Sequence, residues 1–199
     1  MKKINKLNSR TIDMANIGIF SAIIIILSLT PLGYIPLGVV SITIIHIPVI
    51  IGSITMNLRS GVILGMVMGI FSLIRAAVMP STPMDVLFLS PLISVLPRVC
   101  IGIVSSLVFL SMKRILKDKK YSLHISIGTA ALMGTLTNTI LVLSLLYVLY
   151  YDKLAIETTN VVSFVLGSIF AVNGLVEILL SVILSIPISM SIMKLEKKI

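Results

Sequence analysis

The chain of 199 residues is 57% hydrophobic and only 12% charged, with a mean hydropathy of +1.16, whereas about 25% of residues are charged in ordinary soluble domains. That composition describes a membrane protein, and because each spanning helix takes about 20 apolar residues, six spans leave no room for a water-soluble catalytic domain. Sixteen Lys and Arg against seven Asp and Glu give a net charge of +9, which in such a chain reads as topology and not as affinity for nucleic acid, and the lone Cys100 excludes an internal disulfide or a multi-cysteine metal site.

Apolar runs at 12–30, 42–57, 60–78, 88–112, 124–151 and 161–193 predict an all-α, single-domain protein of six transmembrane helices over 1–199. The first run leads into Pro31-Leu-Gly-Tyr without a small-residue cleavage site, so it is expected to be a span and not a cleaved signal. On it Ala15, Gly18 and Ala22 form a stripe of small residues that permits close helix approach. The second run is short and holds His46 and Pro48. The third ends at Arg75, the fourth holds Pro97 and Arg98, the fifth Asn138, and the sixth Asn173 and Glu177 one turn apart. Lys2, Lys3, Lys6 and Arg10 precede run 1; Arg59 separates runs 2 and 3; Lys113, Arg114, Lys117, Lys119 and Lys120 separate runs 4 and 5; Lys194, Lys197 and Lys198 follow run 6. Six spans put all of these on one face, with Lys153 the only basic residue in the opposite loops, so both termini are predicted to be cytoplasmic. Multi-pass insertion in the plasma membrane follows.

Seven of the eight prolines fall in two stretches, Pro31, Pro36 and Pro48, then Pro80, Pro83, Pro91 and Pro97. Both are predicted to lie toward the outer side. Interrupted segments at membrane depth are tolerated where protein buries them or where they line a cavity, and they point to transporter binding sites. Ionisable residues inside spans are expensive and face an interior or a cavity. The candidate ligand-contacting set is therefore Tyr34, His46, Arg75, Arg98, Asn138, Asn173 and Glu177. Arg98 and Glu177 are read equally as an internal clamp or as pocket groups. The acidic residues show no paired-carboxylate spacing, and neither a nucleophile elbow, a phosphate-binding loop nor a zinc-protease motif occurs. An enzyme is not expected, no metal or other cofactor is implied, and ATP energy has to come from a partner.

Four stretches carry a resemblance beyond composition: Pro31-Leu-Gly-Tyr-Ile-Pro-Leu-Gly, Ser41-Ile-Thr-Ile-Ile-His-Ile-Pro-Val-Ile-Ile-Gly, Gly61-Val-Ile-Leu-Gly-Met-Val-Met-Gly through Arg75, and Pro91-Leu-Ile-Ser-Val-Leu-Pro-Arg. Together with Thr135-Leu-Thr-Asn-Thr and Asn173-Gly-Leu-Val-Glu, they resemble the substrate-binding S component of energy-coupling-factor (ECF) vitamin transporters. The resemblance implies capture of a vitamin from outside and docking on a transmembrane coupling subunit (EcfT-like) with two ATPases. It implies a docking stripe on helix 1 of A-x-x-x-A type, from which this chain departs by Gly18 in place of the first alanine. The pattern is most similar to the pantothenate branch; Arg75 and Arg98 suit a carboxylate, as folate would also require, and the absence of Trp disfavours a large stacked aromatic ligand. The alternative reading is a membrane scaffold or assembly protein without a small-molecule ligand.

Overall fold

In the computed structural model, residues 2–37, 40–80, 83–117, 119, 121–155 and 174–196 are described. Among the described residues the chain is a helical bundle with one small hairpin. Helix α1 (Lys2–Leu29) leads through a 3₁₀ turn at Pro31–Gly33 into β1 (Tyr34–Leu37) and β2 (Val40–Thr43), then α2 (His46–Thr55), α3 (Leu58–Val78), a 3₁₀ segment Pro83–Leu89, α4 (Pro91–Ile115), α5 (Ser122–Ala155) and α6 (Gly174–Glu196). Among the described residues, five helices are long and apolar enough to cross a membrane, in α1, α3, α4, α5 and α6. The run at 42–57 differs from a plain span. Its β-branched start, Val40-Ser-Ile-Thr, pairs antiparallel with β1 in the register Tyr34 to Thr43 and Leu37 to Val40, as branched side chains favour strand. The helical part is only 10 residues, about 15 Å at 1.5 Å per residue.

Pro48 sits in the first turn of α2, where its missing N–H deprives no carbonyl of a helical partner. It therefore begins a helix and does not break one. Pro97, by contrast, lies inside α4, and Pro187 inside α6. The described part of the run at 161–193, Gly174 onward, is helical, and residues 161–173, Asn173 among them, lie outside the described residues.

Burial differs from that of a water-soluble protein in its apolar exterior and in the many serines that share the interior with a core of Ile24, Ile50, Leu64, Ile101 and Ile127. Ile19, Ile26, Val78, Leu107, Ile140 and Ile183 are exposed, while Ser28, Ser53, Ser60, Ser72, Ser105, Ser181, Ser185 and Ser189 are buried. An exterior of that kind would be an aggregation hazard in water; in lipid, tails are as apolar as Leu, so helices are held by small residues that allow close packing. The tightest seam joins α3 to α4. A Cβ at Gly61 would meet the backbone of Gly102, one at Gly65 the carbonyl of Arg98, and one at Gly69 would lie 2.7 Å from Val95 Cα. Three glycines at four-residue spacing thus run antiparallel against α4, and the middle one packs on the backbone that carries Arg98.

Candidate ligand-binding site

One end of the bundle gathers the end of α1, the hairpin, the end of α3, the 3₁₀ segment before α4, and the starts of α4 and α6. Below it, α2, α4 and α5 close together: a Cβ at Gly134 would meet the Ser105 hydroxyl, with Ile50 Cδ1 3.3 Å away. One turn toward the hairpin from Ile50 is His46, and one turn from Gly134 is Asn138, each on the same helix face as the residue below it. Both are buried, His46 completely. By strict hydrogen-bond geometry no described residue partners either ring nitrogen of His46, although the Thr43 backbone lies close enough to act on the ring, and none partners Asn138 Oδ1 or Ser105 Oγ.

Arg98 is 7% exposed and lies about two turns below the start of α4 at Pro91. Its Nη1 donates to the carbonyl of Ile93 at 2.7 Å, its guanidinium carbon is 5.1 Å from the Phe88 ring centroid, and its Nε has no partner. Phe88 is itself tied to α4, because the Ser94 hydroxyl donates to its carbonyl. Arg98 lies within electrostatic reach of His46, Tyr34 and Glu177.

Above this layer the hairpin is held from two sides. The Arg75 guanidinium stacks on Tyr34, 3.5 Å from the ring centroid. Across the first rung, Glu177 Oε1 accepts from Thr43 twice, from the backbone N–H at 2.7 Å and the hydroxyl at 2.9 Å. Tyr34 and Thr43 are partners in the register, so α3 and α6 each grip one end of the same rung. The internal-clamp reading of Arg98 with Glu177 therefore takes another form: no ion pair joins them, and each is bound to a backbone group elsewhere.

Of the residues singled out in the sequence, the structure brings Tyr34, His46, Arg75, Arg98, Asn138 and Glu177 to one end and the interior below it. Thr43 and the Ile93 carbonyl were not anticipated. For Ile93 a signal was present in Pro97, which withholds the helical donor four residues on. The paired loop–helix contact of Thr43 has no sequence signature. A groove between α1, α2 and α6, lined by Phe20, Ile23, Ile47, Pro48 and Leu184 among others, is wholly apolar and holds none of these groups. Among the described residues, no cluster of three or more His, Cys, Asp or Glu is placed to hold a metal.

Comparison with known proteins gives a match of residues 13–189 to the family described as ECF transporter, substrate-specific component. The chain is 32% identical over 194 residues to the "Pantothenic acid transporter PanT" of Lactococcus lactis subsp. cremoris, covering 89% of this chain and 91% of that protein. It is 29% identical over 187 residues to the "Pantothenate transporter PanT" of Leuconostoc mesenteroides subsp. mesenteroides, covering 89% and 90%.

Proposed function

We propose a ligand and a binding mode from one premise: this chain belongs to the family of ECF transporter substrate-specific components, and it serves vitamin uptake as a membrane component without catalytic chemistry of its own. The ligand is pantothenate, in line with the names of its relatives. Arg98 receives the carboxylate, and His46 and Asn138 receive the polar groups of the body of the molecule, while Tyr34, Arg75 and Glu177 shape the rim. Asn173, four residues before Glu177 in the sequence, belongs to the same proposed set. The observation that carries this reading is the buried layer of Arg98, His46 and Asn138 with polar atoms lacking partners. Each unsatisfied buried group costs roughly 1–3 kcal/mol, and a ligand bearing one carboxylate, an amide and hydroxyls satisfies several at once.

The partners are a transmembrane coupling subunit and two ATPases, with Ala15, Gly18 and Ala22 as the docking stripe. All three are exposed, and among the described residues nothing lies within 4 Å of a Cβ at Gly18. Six crossings place both termini in the cytoplasm, with the hairpin and α2 together forming the second, and the hairpin end facing outward.

Thermal unfolding of the purified protein with pantothenate and with pantothenol, its alcohol counterpart, tests the ligand. Pantothenate at 100 times its dissociation constant should add about 2.7 kcal/mol of stability, and pantothenol should add far less because it gives Arg98 no anion. Equal shifts would remove Arg98 from the carboxylate role. No shift with pantothenate would remove the ligand.

A further inference from the structure

In an α-helix the N–H of residue i bonds to the carbonyl of residue i−4, so the partner owed to Ile93 is the N–H of residue 97. That residue is proline and has none. Ile93 is completely buried, so water does not take the place of the missing donor. The donor that does is Arg98 Nη1, 2.7 Å away, from the residue that directly follows the proline. We propose that Pro97 is a positioning residue for ligand recognition: by leaving the Ile93 carbonyl open it anchors the Arg98 guanidinium against its own helix, with Nε turned toward the interior for the ligand.

The physical case rests on the two halves of one arrangement. An arginine side chain loses considerable rotamer freedom when it is ordered. Here that loss is met before binding, because the guanidinium is held by a charge-assisted bond to Ile93 and by the Phe88 ring beneath it. Gly65 packs on the Arg98 carbonyl, which fixes the backbone at the same point. The guanidinium has five donor hydrogens, so one bond to Ile93 leaves the remainder for an anion. With an ordinary residue at 97, the N–H closes on Ile93, the carbonyl swings into line with the helix axis, and Arg98 is released.

This inference rests on the reading of Arg98 as the carboxylate partner, and its test separates the two. Pro97→Ala should leave the melting temperature of the ligand-free protein little changed, because a helical hydrogen bond is gained while the charge-assisted bond of Arg98 to Ile93 is lost, and should weaken pantothenate binding roughly tenfold, the order of one hydrogen bond to a charged group. A loss of affinity without a matching loss of stability distinguishes positioning from a purely structural role. In a second background, Arg98→Met, which keeps length and removes the donor, Pro97→Ala should raise the melting temperature more than in wild type, since there the restored N–H satisfies a carbonyl that nothing else reaches. That coupling is read without ligand. Unchanged affinity on Pro97→Ala, additive melting temperatures, or loss of folding in Pro97→Ala would each overturn the proposal. If wild type fails to bind pantothenate, the ligand is wrong, and the melting-temperature coupling still decides whether Pro97 anchors Arg98.

Discussion

Arg98 illustrates how one buried cation is made tolerable inside an apolar helix. Its charge is met by a carbonyl, a ring and the field of Glu177, not by a direct ion pair, which leaves donors for a ligand. Lysine at this position keeps the charge and loses the planar fork that reaches Ile93 and a carboxylate together. Arg98→Lys should therefore weaken pantothenate binding by tenfold or more in isothermal titration while the protein stays monodisperse; wild-type affinity would show that only net charge matters. Gly65 is the second decisive residue. A methyl there would run into the Arg98 carbonyl and lie 2.9 Å from Val99 Cα, backbone that has no rotamer to yield. Gly65→Ala should cost about 1–3 kcal/mol of stability, the usual range for overpacking, and should lower affinity as well because it displaces the segment that carries Arg98.

At the scale of elements, the hairpin is the part that converts a bundle into a site. Its first rung is gripped by Arg75 on one side and Glu177 on the other, and the Ile44 N–H bonds back to the Gly33 carbonyl at 3.2 Å. Glu177→Gln keeps an acceptor for the Thr43 N–H but removes the charge that strengthens both bonds. Hydrogen exchange of the Thr43 amide should accelerate in Glu177→Gln, with a smaller change in Thr43→Val, where the amide bond survives; equal exchange in wild type and Glu177→Gln would mean that the clamp does not hold the hairpin. The long spans and their polar residues were legible in the sequence, because apolar runs of 19–29 residues and rare buried charges are strong signals. The second run misled, since periodicity alone does not separate a β-branched strand followed by a short helix from a single short span. The α3 seam was written openly as Gly61, Gly65 and Gly69, yet spacing does not say which helix the glycines face. The partner of Arg98 was signalled only by Pro97, and that of Glu177 was not legible, because Thr43 is brought to it by turns that composition does not specify.

For the whole molecule, the apolar exterior and the sided charge lead to one picture of how it would work with a partner. Ile24 and Ser28 are buried on α1, whereas Ala15, Gly18 and Ala22 are exposed; at 100° per residue the small stripe lies far around the helix from the face that packs on the core. Lys113, Arg114, Lys117 and Lys119, at the turn between α4 and α5, lie at the bundle end opposite to the hairpin. The stripe thus lies on a different face from the core that carries Arg98, so on the proposed roles recognition and docking are separable. No atom of the described residues lies within 4 Å of a Cβ at Gly18, so folding and pantothenate affinity should stay at wild-type values in Gly18→Leu. A close helix partner, however, would be held off by the side chain, so assembly with the coupling subunit and uptake should fall sharply. Cysteine labelling fixes the frame in which this is judged: residues replacing Lys117 and Lys3 should react only from the cytoplasmic side, and one replacing Asp152 only from outside. If Gly18→Leu lowers pantothenate affinity along with uptake, docking and binding share residues; if it leaves uptake intact, the partner approaches through another face of the bundle.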